Sequence, residues 1–231
     1  MSYKGAIING VNTLTAYGLA LLADLTISDP EPRTTYVTVP EADGDLDLTG
    51  ALTGGAVRYG MRQISFTLYP VRDIIAGTNR VPTEEHAAAV RQQLTAAIHG
   101  KQATLLLPDD PNHYFIGRLS VGDKGGFNDL RIPVTMTAQP WRINPAKTVT
   151  IAAPFSGDYT ISNPGPATEP TFKSTHSNAA IFTFGSSATP HAIGTSEVTF
   201  DDVTFETGEN VLHFVGTIGS PVTIKYQEGV L

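Results

Sequence analysis

Three carboxylates recur at alternate positions in VPEADGDLDLTGAL, residues 39–52: Asp43, Asp45 and Asp47, beside Gly44. A calcium loop begins with that spacing, because a hard cation takes oxygen ligands at fixed intervals. Such a loop then needs a Gly at its sixth position to turn and a bidentate Glu at its twelfth to close the shell. Counted from Asp43, those positions hold Leu48 and Gly54. The stretch therefore reads as a polar turn at Ala42-Asp43-Gly44, then a short half-exposed strand in which Leu46 and Leu48 alternate with Asp45 and Asp47.

Other acids cluster with as little consequence. Asp109, Asp110 and His113 share PDDPNH, residues 108–113, but Asp and Asn beside Pro are what a wide turn uses. Asp109/Asp110 and Asp201/Asp202 are adjacent pairs; neighbours on a strand point to opposite faces and cannot flank one glycosidic bond. No G-x-S-x-G elbow, H-E-x-x-H helix, phosphate-cradling Gly loop or dinucleotide fingerprint occurs. Ser, His and Asp lack the local signature of a triad. With no Cys in the chain, disulfides, thiolate metal sites and Cys nucleophiles are excluded, which suits a protein that matures in a reducing cytoplasm or needs no redox staple. The residues predict no catalytic site, no cofactor and no metal; a metal-dependent hydrolase is the last of the alternatives.

The elements that would position any site are mostly strands. One helix stands out, PTEEHAAAVRQQLTAAIHGK, residues 82–101: Thr83 is its N-cap, Glu84 and Glu85 favour the positive end of the dipole, and Gly100-Lys101 ends it. Its apolar face is Ala87, Val90, Leu94, Ala97 and Ile98, while His86 and His99 read as solvated. Around it, RTTYVTV (33–39) and RQISFTLYP (62–70) alternate, with Ile64, Phe66 and Leu68 on one face. QATLLL (102–107) and YFIGRLSV (114–121) form a hairpin about the 108–113 turn, and NDLRIPVTMTAQPW (128–141) is a further strand with an edge-like Pro133. RINPAK (142–147) reads as a linker. Beyond it KTVTIAA, DYTISN, AAIFTF, EVTFDDVTF, NVLHFVG and PVTIKY predict a β-sandwich. The expected domains are 1–145 and 146–231.

The chain's 231 residues allow a sizeable core, and its composition is that of ordinary globular proteins. Net charge is −7, with 12 Lys+Arg against 14 Asp+Glu up to residue 145 and 3 against 8 beyond it. That balance argues against gripping phosphates. The first residues lack the apolar core of a signal peptide and no apolar run approaches bilayer length, so a soluble chain without a membrane partner is expected.

Read in order, YGLALLADLTISDPEPRTTYVTVP, DGDLDLT and VRYGMRQISFTL resemble the first domain of the distal tail (Dit) proteins of long-tailed, siphovirus-type bacteriophages. The helix, LLLPDDPNHYFIGRLSV and QPWRIN continue that order, and ISNPGPATEP and FETGENVLHFVGTIGSPVTIKY resemble the family's second domain. The sequence departs from the pattern at Glu41, where the family often has Gly, and at YGMR, which replaces a more usual Asn-Arg. The resemblance implies a mainly β fold: an N-terminal β-sandwich, tail-tube-like ring domain with one α-helix, then a C-terminal galectin-like β-sandwich. It implies a structural virion protein, not an enzyme, at the distal end of the tail and assembled in the host cytoplasm. A homohexameric ring would join the tail tube protein to the tail-tip or tail-associated lysin protein at the baseplate, with receptor-binding proteins as further partners. DNA would pass through the lumen without specific binding. A heterologous interface suits the loop Asp29, Pro30, Glu31, Pro32 and Arg33. The alternative is a carbohydrate-binding module contributing to host adhesion, for which His176, His191, His213 and Asn178 are the donors; the second domain has no Trp and no Arg, so a docking role is favoured.

Overall fold

The computed structural model describes residues 3–41, 43–51, 57–71, 82–123, 129–176, 180–187 and 189–231. It is mainly β and divides into two compact units, 1–140 with Leu231, and 141–230.

The first unit contains β1 (Ile7–Ile8), β2 (Val11–Asn12), α1 (Thr13–Tyr17), β3 (Leu19–Leu21), β4 (Thr26–Ile27), β5 (Tyr36–Thr38), β6 (Asp45–Asp47), β7 (Arg62–Pro70), α2 (Glu84–Ile98), β8 (Gln102–Leu107), β9 (Asp110–Val121) and β10 (Ile132–Ala138). An antiparallel sheet runs β2-β1-β8-β9-β10-β7-β3, with β4 also on β7. Period-2 alternation sends one face of each long strand inward. Ile132, Val134 and Met136 sit opposite Leu68, Phe66 and Ile64, and all six are buried. Val90, Leu94 and Ile98 of α2 belong to the same core.

Helix α2 begins where the sequence says it should: the Thr83 hydroxyl accepts the His86 N–H at 3.2 Å. It ends as the Lys101 ammonium donates to the Ala96 and Ala97 carbonyls at 2.7 and 3.1 Å. Two face assignments change. His86, expected in solvent, is buried, and Ala97, expected in the packed face, is exposed. Ala97 lies on the rim of a shallow cleft of about 100 Å³ with Ile8, Val11 and Tyr17, and its methyl is too short to close it. The hairpin is also tighter than PDDPNH suggests. Strand β9 starts at Asp110, opposite Leu107, with a register shift after Leu106, so the turn itself shrinks to Pro108-Asp109. Five-residue α1 was illegible in sequence because it is too short to show a periodic face; its signals are the Asn12 side chain, which accepts from Leu14 N at 2.9 Å, and the left-handed Gly18 that ends it.

The second unit contains β11 (Arg142–Ile143), β12 (Lys147–Ile151), β13 (Phe155–Asn163), β14 (Thr171–Ser174), β15 (Ala180–Phe184), β16 (His191–Ile193), β17 (Gly208–Ile218), β18 (Val222–Tyr226) and β19 (Gly229–Val230). Its sheets are β12-β18-β14 and β13-β17-β15-β16. Between them lies an aromatic core: Phe172 meets Phe182 at 4.8 Å and Phe205 edge-on at 6.4 Å. Such pairs add about 0.5–1.5 kcal/mol each beyond their buried area. Two readings are corrected, and two strands were missed. Part of RINPAK is strand β11, paired with β19. EVTFDDVTF is not a strand: isolated bridges at Val198 and Phe205 flank a turn at Asp201-Asp202, and its alternation records the fully buried Val203 and Phe205. Strands β14 and β16 went unread because three or four residues carry too little alternation.

Candidate functional site

Four of the clustered acids, Asp47, Asp109, Asp110 and Asp202, are engaged locally. Asp47, closing β6, takes the Thr49 N–H on its carboxylate at 2.8 Å; bonds from the Thr49 side chain and backbone hold the carboxyl below its ordinary value. Asp109 pairs with Lys4 and Asp110 with His113. Asp202 reaches His191 at 3.3 Å from a turn, not from the strand expected. Among the described residues, no three His, Asp or Glu side chains converge as metal ligands would.

The histidines considered as sugar donors have separate engagements. His191 is buried, with its ring 4.5 Å from Phe200 and 5.2 Å from Phe182. His213 bonds Asp158 at 2.7 Å, and His176 bonds Ser220 at 2.9 Å. Asn178 lies outside the described residues.

The loop chosen as an interface is the base of an exposed two-stranded ribbon. Asp29, Glu31, Pro32 and Arg33 are exposed and Pro30 is half-buried. Pro32 bridges to Tyr59, Gly60 N donates to Glu31 O at 2.7 Å, and Arg33 N donates to Arg58 O at 2.7 Å. Further out, β5 and β6 pair only with each other, Tyr36 opposite Asp47, Val37 opposite Leu46 and Thr38 opposite Asp45. Near the tip, Gly44 at φ 86° and Glu41 at φ 68° both occupy the left-handed region, which favours Gly. The resembled family's Gly thus falls where this backbone has most use for one.

That pairing sorts side chains by face. Tyr36, Thr38, Asp45 and Asp47 alternate with Val37, Val39, Leu46 and Leu48. The four aliphatics are 44%, 40%, 52% and 37% exposed. The sequence showed half of this, Leu46 and Leu48 against Asp45 and Asp47, but not that Val37 and Val39 join them across the ribbon.

A second feature of the same unit is concave. On the sheet face opposite the α2 core, Gln102, Ile116, Arg118, Thr137 and Gln139, with Met61, line a groove of about 520 Å³. Met61 is 53% exposed. His99 is on the rim, its Nδ1 accepting from Val121 N at 3.1 Å. No described helix is long and apolar enough to cross a membrane.

Among solved structures, the chain is similar to the Dit (gp 19.1) protein of phage SPP1, described as a paradigm of the hub adsorption apparatus in Gram-positive infecting phages. The TM-score is 0.61 at 15% identity, over 98% of this chain and 99% of that one. No family model matches the chain, and no curated protein sequence matches it. The likeness establishes the fold: a Dit-like, mainly β architecture with one long helix.

Proposed function

We propose that the chain is a structural protein of a phage tail, a distal-tail hub without catalytic activity. The observation that carries the reading is the fold shared with SPP1 Dit along the whole of both chains. It reaches through both units, so it is not a resemblance of one common sandwich. In this reading the first unit closes a six-fold ring between the tail tube and the tail tip, at the distal end of a virion assembled in the host cytoplasm. The second unit serves as a peripheral platform for tail-tip or receptor-binding proteins. An exposed ribbon and open sheet edges suit such a role, because a neighbour can cover them and a head-to-tail contact can close.

Negative-stain microscopy and mass photometry of the full chain test the proposal. Six-membered rings are expected, alone or on addition of a tail-tube protein. A strictly monomeric chain at high concentration under both conditions would overturn the hub.

A further inference from the structure

The chain contains a single Asn-Gly dipeptide, Asn9-Gly10, and the structure places it in the two-residue turn between β1 and β2, where Ile8 lies opposite Val11. Both residues are exposed, and Gly10 has open space where a side chain would stand. An asparagine followed by glycine is the most labile amide a chain carries, because the unhindered glycine nitrogen can reach the side-chain carbonyl. We infer that Asn9-Gly10 is a deamidation site held shut by the fold, and that its isoaspartyl product cannot be taken back into the sheet.

In the reaction the Gly10 nitrogen attacks Cγ of Asn9, a C–N bond forms, and Nδ2 leaves as ammonia with the proton the glycine amide gives up. Water then opens the cyclic succinimide at either carbonyl, so that amide and water become carboxylic acid and ammonia. The chain runs on through the α-carbonyl, as aspartate, or through Cγ, as isoaspartate. Two features oppose the first step in the folded chain. With φ 50° at Asn9 and 79° at Gly10, the turn is the mirror image of type I, and its torsions carry the Gly10 nitrogen away from the Asn9 side chain. That side chain is also tied to β8: Oδ1 accepts from Thr104 N at 2.9 Å and from Thr104 Oγ1 at 3.4 Å, while Asn9 N donates to Thr104 O at 3.0 Å. Ring closure therefore requires the hairpin to open and leave β8. The α-linked product keeps an oxygen for Thr104. The isoaspartyl product instead adds a backbone methylene to a two-residue turn, which then cannot hold Ile7 opposite both Asn12 and Leu106. Ile8 beside it is buried, so the misfit reaches the core.

The full chain is incubated in mildly alkaline buffer with and without urea, and position 9 is followed by peptide mass spectrometry. Isoaspartate is expected there in urea, and about tenfold or more slowly without it, since only the open fraction reacts. The isoaspartyl chains are then separated by chromatography, returned to native buffer and compared by hydrogen exchange with Asn9→Asp, which carries the α-linked product. Asn9→Asp should keep wild-type protection over residues 7–12 and 104–106, whereas the isoaspartyl chains should lose it there and keep it in the second unit. No product at position 9 in urea, or equal rates in the two buffers, would overturn the inference. So would isoaspartyl chains whose protection over β1, β2 and β8 matches that of Asn9→Asp.

Discussion

Two asparagines show how single side chains fix the second unit. Asn163, fully buried, donates from Nδ2 to the carbonyls of Pro166 and Phe205 at 2.8 and 3.1 Å and accepts from Gly165 N at 3.1 Å. Asn210 accepts from Glu206 N and donates to Glu206 O, both at 2.8 Å. These are the residues of ISNPGP and GEN, which sequence flagged only by resemblance; the geometry gives them a reason. Asn163→Ala leaves buried partners unpaired and should cost about 2–3 kcal/mol, measurable as a lower urea midpoint. Asp47 makes a prediction of opposite location, on the exposed ribbon. Its carboxyl is lowered in the folded state, first by the Thr49 side chain and then by the Thr49 backbone, from an ordinary value of 3.8. The contribution is therefore complete above pH 3.8 and disappears as pH falls through the lowered value. Hydrogen exchange at Thr49 should show protection lost on acidification over that range, and Asp47→Ala should remove the pH dependence.

Elements differ in how plainly the sequence announces them. Helix α2 was legible because cap, dipole and 3.6-residue stripe agree within twenty residues. The open face of the ribbon was not, since its two strands pair across a turn and only the register puts Val37 beside Leu46. Nor could the groove be read, as its lining comes from β8, β9, β10 and Met61, far apart in sequence. The helix's cleft-side flank misled for a third reason: Ala97 has the apolar spacing, but its methyl is too short to reach across the cleft it shares with Ile8, Val11 and Tyr17. Leu94, 1% exposed, is the centre of the true stripe. Leu94→Ala should cost about 2–5 kcal/mol through lost burial and a cavity. Leu94→Asp should prevent folding of the first unit and with it any assembly, read by circular dichroism and sedimentation.

At the scale of the molecule, each unit has its own apolar cluster, so each is expected to fold alone. The boundary matters. A fragment starting at residue 146 discards β11 and leaves β19 without the partner it has in Arg142–Ile143, whereas 141–230 keeps the pair. The longer fragment should melt cooperatively and at higher temperature than 146–230 in a calorimetric scan. On a glycan array it should bind weakly or not at all; micromolar retention would favour the sugar-binding alternative for this unit. The same β11–β19 pairing has a wider consequence. Arg142 lies opposite Val230, and Gly165 approaches Gly229 so closely that a Cβ there would meet its nitrogen at 2.3 Å. The first and last strands of this unit thus clasp one another, so that removing Gly229–Val230 should loosen both ends of the unit at once.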